Sequence, residues 1–158
     1  MVLEDEGQIM KTSIESIAKL KLKRDHENIK TYGFTGALCD FILHNECSLF
    51  GECSDCDSDC NKDFKKNAIR EEIDEIFNRR PDAFHICYFC NVVIVYEIED
   101  TSKLTEEKLR DYVELWFYLD TLSDGIEFHL YITDRYGITK TEVPLQQYFY
   151  VFLEKRNN

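Results

Sequence analysis

The sequence predicts a mixed α/β fold, an α+β arrangement in which helices flank a small mixed sheet. Two kinds of pattern lead to this prediction. Apolar residues recur at three- and four-residue spacing in several segments, as they do on the buried face of a helix. Between these segments lie an apolar hairpin at about residues 82–99 and an alternating strand at about 126–133. Helices before, between and after strands are typical of a sheet that helices cover.

The first half of the chain is predicted to form three helices and one long loop. Helical spacing indicates an amphipathic helix over residues 8–22, and Thr35 is placed to cap a second helix. An acidic, cysteine-rich loop follows over 46–63, and a third helix over about 63–78. Pro81 forbids continuation of that helix, because proline lacks the backbone N–H and clashes with the preceding turn.

The hairpin has an acidic residue at each of its open ends. A two-residue loop at Phe89–Cys90 would place Asp82 opposite Glu97. A loop shifted by one residue, at 90–91, would place Asp82 opposite Glu99. Side chains at positions i and i+2 of a strand share a face, so either register collects the three carboxylates on one patch.

The second half of the chain completes the sheet and its cover. The run 92–96 is apolar on both faces, which indicates a central strand covered on both sides. Thr105 is predicted to cap a helix over about 105–122, which leads to the alternating strand 126–133. Pro144 is suited to the first position of a last helix.

Length and composition fit one domain over residues 1–158. Residues 1–61 are its helical N-terminal part with the cysteine-rich loop, and residues 62–158 are its core. No stretch approaches the about 20 apolar residues that a membrane span needs. The acidic start of the chain lacks the apolar region of a secretory signal, and seven cysteines without export indicate a reducing compartment. The expected location is therefore the cytoplasm, with no membrane partner.

Three carboxylates on one patch indicate a bound cation. Unit charges of like sign about 4 Å apart repel by about 4 kcal/mol at an effective dielectric of about 20. Hard divalent cations prefer oxygen ligands, so the patch is interpreted as a site for Mg²⁺ or Mn²⁺. The alternative is that glutamates at the end of a strand only mark the return of the chain to water.

The formal net charge of −12 disfavours a broad surface for nucleic acid. Positive charge is concentrated locally in the segments 19–24, 65–66 and 79–80. Arg79 and Arg80 adjoin the carboxylate patch and are therefore the expected substrate-binding pair. The alternative for each of the three runs is an ordinary solvated face.

The order of elements and their acidic residues resemble the PD-(D/E)xK nuclease superfamily, whose core is restriction-endonuclease-like. Pro81-Asp82 matches the first part of the motif and Glu97-Ile98-Glu99 the second, on a hairpin that a helix and a strand follow. The resemblance covers residues 62–137. Glu99 stands where the family usually has lysine, a variant found in some active restriction enzymes. By resemblance, Asp82 and Glu97 would hold Mg²⁺ or Mn²⁺, and Glu99 would help bind a second metal or orient the attacking water.

The resemblance also implies residues outside the motif. Family members often add an acid from the preceding helix, and Glu72 is the expected residue here. Lys103 or Lys108 would supply the missing positive charge near the scissile phosphate. The implied activity is metal-dependent hydrolysis of phosphodiester bonds, in DNA rather than RNA, which needs no covalent nucleophile. A homodimer is compatible with this activity, since nucleases that cut both strands often dimerise, but the sequence leaves the oligomeric state open.

A function of another class fits the same sequence. The chain would keep a nuclease-like scaffold without catalysis and bind a protein partner. Its net charge of −12 favours this alternative, because an acidic surface can mimic DNA toward a basic nucleic-acid enzyme.

The cysteine-rich loop contains a second candidate metal site. Four thiolates close in sequence can surround a structural Zn²⁺, or alternatively carry an iron–sulfur cluster. The remaining alternative is an acidic loop of free thiols. Cys87 and Cys90 form a further CxxC at the hairpin tip, where no specific role is expected. The four candidate ligands in the loop are Cys47, Cys53, Cys56 and Cys60.

Overall fold

A computed structural model describes residues 17–50, 62–99, 104–122 and 125–157. These residues form five helices and four strands. In chain order the elements are α1 over 17–25, α2 over Phe34–Phe50, α3 over Lys62–Ile76, β1 over Ala83–Cys87, β2 over Val92–Ile98, α4 over Glu106–Thr121, β3 over Glu127–Thr133, β4 over Lys140–Val143 and α5 over Leu145–Asn157.

The four strands form one open mixed sheet in the order β1-β2-β3-β4. β1 pairs antiparallel with β2, β2 pairs parallel with β3, and β3 pairs antiparallel with β4. A parallel pair needs a crossover connection, and α4 supplies it between β2 and β3. The prediction of a mixed α+β fold is confirmed, and so is the central position of β2.

Strand β4 was not predicted. It has four residues, and three of them are exposed, so it lacks the apolar alternation by which strands are recognised. Pairing with β3 across a short turn forms it instead. Asp134 shapes this turn, since its carboxylate accepts hydrogen bonds from the backbone N–H groups of Tyr136, Ile138 and Thr139.

The hairpin adopts the first of the two predicted registers. Ala83 pairs with Tyr96 and Cys87 with Val92, so the next position outward places Asp82 opposite Glu97. The turn spans residues 88–91 and ends at Asn91, whose positive φ of 59° is a left-handed conformation that asparagine tolerates.

Of three helix starts predicted from the sequence, the structure confirms one and differs at two. Thr105 caps α4, because its hydroxyl accepts a hydrogen bond from the backbone N–H of Lys108. The predicted cap Thr35 is wrong: α2 begins at Phe34, and the carbonyl of Gly33 accepts the first helical bond. Pro144 likewise lies one residue before the start of α5 rather than at its first position.

Each face of β2 packs against helices. Val93 and Val95 are fully buried and join Leu130 in a large core that draws on α2, α3, α4 and α5. On the opposite face, Tyr96 packs with a smaller cluster that contains Leu22 of α1. The apolar character of this strand on both faces is thus explained by helices on both sides.

The large core crosses the predicted boundary between residues 1–61 and 62–158. Phe34 of α2 makes edge contacts with Phe77 at a ring-centroid distance of 5.8 Å and with Phe84 at 5.2 Å. The helical N-terminal part therefore packs directly on the hairpin. Within the described residues, no helix is long and apolar enough to span a membrane.

Candidate functional site

Asp82 and Glu97 meet where β1 begins and β2 ends. Asp82 lies immediately before β1, and its Oδ2 accepts a hydrogen bond of 2.8 Å from the backbone N–H of Ile98. This bond fixes the Asp82 carboxylate beside the end of β2, close enough to influence the protonation of Glu97. The hairpin thus brings together two carboxylates that lie 15 residues apart in the chain.

Glu97 is a nearly buried carboxyl, with 6% of its surface exposed. The Tyr112 hydroxyl donates a hydrogen bond to its Oε1, and the Lys108 ammonium lies 3.5 Å from its Oε2. Burial raises the pKa of Glu97 to about 7, and the nearby Asp82 charge acts in the same direction, while Tyr112 and Lys108 act against it. Near neutral pH this carboxyl therefore exists in both protonation states.

Lys108 and Tyr112 reach Glu97 from one face of α4, because residues four apart on a helix are neighbours. As the crossover helix, α4 starts near the end of β2, which aims its first turns at the strand end. Lys108 was predicted as one of two candidates for a positive charge. Tyr112 was not predicted as a site residue. The signal that identifies it is a hydroxyl at an otherwise apolar position, since a buried tyrosine needs a hydrogen-bond partner.

Glu99 lies beside Glu97, just past the end of β2. It is exposed and follows the last residue of β2, and its backbone N–H donates to the carbonyl of Thr133. Together with Glu97 and Lys108 it lines a recess of about 60 Å³. Residues 97 and 99 therefore border the same recess, whose lining does not include Asp82. In the described part of the chain, no group of three or more His, Cys, Asp or Glu side chains is arranged to hold a metal ion.

Glu72 is not brought to the pair. It is exposed on α3, and its Oε2 accepts a hydrogen bond of 2.7 Å from the Tyr118 hydroxyl. Tyr118 is six residues beyond Tyr112 on α4, about 9 Å along the helix axis. The bond of Glu72 to α4 therefore lies beyond the turns that carry Lys108 and Tyr112.

The two arginines before Pro81 have different surroundings. Arg79 is half-buried, with its Nε 2.6 Å from Oδ2 of Asp111 and a terminal nitrogen 3.7 Å from Glu107. It therefore ties the segment before Asp82 to α4. Arg80 is exposed and lines a groove that reaches Asp82.

The hairpin tip places the two cysteines of the CxxC together. The Cys90 thiol and its backbone N–H donate hydrogen bonds to Sγ of Cys87, the latter at 3.2 Å, and lower the pKa of Cys87. Cys47 falls within α2, but its side chain lies outside the described residues. The other predicted residues outside the described ranges are Lys103, Cys53, Cys56 and Cys60.

Comparisons with protein-family models, with curated proteins and with solved structures found no match for this chain. The chemical character of the site therefore comes from its own residues: a pair of carboxylates at a strand end, with a lysine and a tyrosine from the crossover helix.

Proposed function

We propose that the chain is a Mg²⁺- or Mn²⁺-dependent nuclease that hydrolyses phosphodiester bonds in DNA. The observation that carries the proposal is the convergence of Asp82, Glu97 and Lys108 at the end of β2. Two carboxylates beside a lysine are the side-chain types that hold a divalent cation and neutralise a phosphate.

The order of elements supports the same proposal. A helix precedes a hairpin, the hairpin carries acids at its open end, and a crossover helix leads to a parallel strand. This is the order that the resemblance to the PD-(D/E)xK superfamily implies. Glu99 replaces the usual lysine of that motif, and Lys108 provides an ammonium at the neighbouring carboxylate from another element.

The donor set fits a hard divalent cation. Asp82 and Glu97 would hold it, because their oxygens are the ligands such ions prefer and because Glu97 is a buried carboxyl whose ionised form a cation would stabilise. When bound, the metal would lower the pKa of an attacking water and offset charge on the phosphate. Tyr112 orients Glu97 through its hydrogen bond, and Lys108 contributes a positive charge at the same point.

Cleavage by variants at the pair tests the activity. Linear, circular and single-stranded DNA are incubated with Mg²⁺ or Mn²⁺ and with the wild type, Asp82→Asn or Glu97→Gln. We expect the wild type to cut and each variant to lose about 100-fold or more in rate, since removing a group that stabilises transition-state charge costs about 10²–10³. Glu72→Gln is the matched control, because it removes a carboxylate that lies away from the pair. Equal cleavage by Asp82→Asn and the wild type, or no cleavage by either, would refute the proposal.

Metal binding is tested without reference to activity. A ligand that binds only the folded protein raises its melting temperature. We expect millimolar Mn²⁺ to raise the melting temperature of the wild type and of Glu72→Gln, and to leave that of Asp82→Asn nearly unchanged. An equal shift in all three proteins would mean that the metal binds elsewhere.

A second candidate function is a non-catalytic module that binds a protein partner. One observation favours it: both oxygens of Glu97 already face a donor from α4, so the cluster can serve as a closed structural network. The net charge of −12 suits an acidic surface offered to a basic partner. This function predicts no cleavage and no metal-dependent shift in melting temperature, the reverse of both results above.

A further inference from the structure

A groove beside the carboxylate pair gathers positive charge in a chain whose formal net charge is −12. It has a volume of about 530 Å³ and lies between α1, the start of α2, α3 and the segment before β1. The residues that give it chemical character are Lys19, Tyr32, Arg70, Arg79, Arg80 and Asp82.

Two of the arginines leave their charge available to a ligand. Arg70 and Arg80 are both exposed, and no carboxylate among the described residues forms an ion pair with either of them. Arg79 differs, since Asp111 already neutralises it. An exposed guanidinium offers paired N–H donors that match the geometry of a phosphate.

Tyr32 adds an aromatic surface to the groove. Its side chain is 83% exposed, which is unusual for a ring of this size. The backbone on either side is held: Lys30 exchanges two hydrogen bonds with Phe84 of β1, and Phe34 is buried in the core. Gly33, with a φ of 77°, makes the turn between them. Tyr32 is therefore presented to solvent from an anchored segment.

One end of the groove is the candidate active site, because Asp82 is both a lining residue and a member of the carboxylate pair. A chain of phosphates that follows Arg70 and Arg80 would lead to that pair.

We propose that this groove binds a single nucleic-acid strand, with its phosphates on Arg70 and Arg80 and a base stacked on Tyr32. A basic groove with an exposed aromatic ring is the combination that binds single strands. In a duplex both faces of a base are covered by its neighbours, so Tyr32 would have no face to stack on. Delivery of the strand to Asp82 and Glu97 rests on the proposed function, whereas the binding itself does not.

Binding is measured in EDTA, where no metal-dependent hydrolysis occurs, by fluorescence anisotropy with a labelled 20-nucleotide DNA strand and the duplex of the same sequence. We expect the single strand to bind at least tenfold more tightly than the duplex. Tyr32→Ala should weaken single-strand binding about fivefold or more, since stacking of one base on an aromatic ring contributes about 1–3 kcal/mol. Tyr32→Phe should keep most of the affinity, because the ring remains.

Charge-reversal variants distinguish binding at the groove from a general effect of the protein's net charge. Arg70→Glu and Arg80→Glu should each weaken binding and reduce its salt dependence, since a lost phosphate contact releases fewer counterions. Lys155→Glu changes the net charge equally at an exposed position on α5, which does not line the groove, and should have little effect.

The outcomes separate the two proposals. Three results would each refute single-strand binding in the groove. They are equal affinity for duplex and single strand, unchanged affinity of Tyr32→Ala, and an equal loss of affinity in Arg80→Glu and Lys155→Glu. Single-strand binding in EDTA without any cleavage in Mn²⁺ would support the proposed binding groove and refute the proposed nuclease activity. Cleavage of single strands at wild-type kcat/KM by Arg70→Glu and Arg80→Glu would refute strand binding in the groove, and it would still be consistent with the proposed nuclease activity.

Discussion

Glu97 is the residue on which the candidate site depends. Burial disfavours its charged form, whereas Tyr112 and Lys108 stabilise that form from α4. Asp82 adds a second negative charge next to it. Because these effects oppose one another, a nearby cation or a change in pH readily shifts the protonation of this carboxyl. The same balance makes the stability of the protein depend on pH.

The pH dependence follows from the raised pKa of Glu97, from its ordinary value of 4.5 to about 7 in the folded state. The folded protein then binds this proton more tightly than the unfolded chain, so the contribution of Glu97 to stability is greatest below pH 4.5 and is lost as the pH rises through 7. The change amounts to about 3 kcal/mol, because each tenfold difference in proton affinity between the two states corresponds to about 1.4 kcal/mol.

Urea unfolding in EDTA at several pH values tests this. The free energy of unfolding of the wild type should fall relative to that of Glu97→Gln between pH 4.5 and pH 7 and level off above. A difference between the two proteins that is constant over this range would contradict the prediction.

Among the elements, the unit β2–α4–β3 places the site. In sheets with parallel strands, ligands bind beyond the carboxyl ends of the strands, and Glu97 lies at that end of β2. The first turns of α4 begin at the same end. The hairpin strand β1 runs the other way, so its start, with Asp82, meets the end of β2.

The turn between β3 and β4 depends on Gly137. Its φ of 72° is left-handed, and a Cβ there would lie 2.8 Å from the backbone oxygen of Ala18 in α1. We expect Gly137→Ala to lower the free energy of unfolding by about 1–3 kcal/mol, from backbone strain and this clash together. Urea denaturation followed by far-UV circular dichroism measures the change.

Gly36 provides the matched control for that substitution. It lies inside α2, and a Cβ added there would contact nothing within 4 Å. Gly36→Ala should leave stability unchanged or raise it by up to about 1 kcal/mol, because alanine restricts the unfolded chain. Equal destabilisation by Gly137→Ala and Gly36→Ala would contradict the prediction that the turn specifically requires glycine at position 137.

At the scale of the whole molecule, one core joins the helical N-terminal part to the sheet. Phe41 of α2 is fully buried in the same cluster as Tyr112 of α4 and Leu130 of β3. The candidate site therefore lies on a scaffold whose two predicted parts share their buried surface. Their unfolding is expected to be a single cooperative transition.

Phe41→Ala tests this cooperativity. The substitution removes a buried ring and should lower the free energy of unfolding by about 3–5 kcal/mol. Trp116 on α4 is the single tryptophan of the chain, so its fluorescence reports on the second part while far-UV circular dichroism reports on all helices. Both signals should shift together to lower denaturant. Loss of the helical signal with the Trp116 transition unchanged would show two separate folding units.

Local patterns were enough to predict most elements and the acids at the open end of the hairpin. The apolar run of β2 showed that both of its faces are covered, and Thr105 marked the start of α4. These features are local, since periodicity and capping depend on residues close in sequence. They limited the hairpin to two registers, which place Asp82 opposite either Glu97 or Glu99.

Tertiary packing decided the rest. It selected the register that places Asp82 opposite Glu97, and it brought Lys108 and Tyr112 to that carboxyl. It also left Glu72 on Tyr118, away from the pair. The physical reason is that the angle and offset of a crossover helix depend on side chains far apart in sequence, which interlock only when the helices and the sheet have packed together.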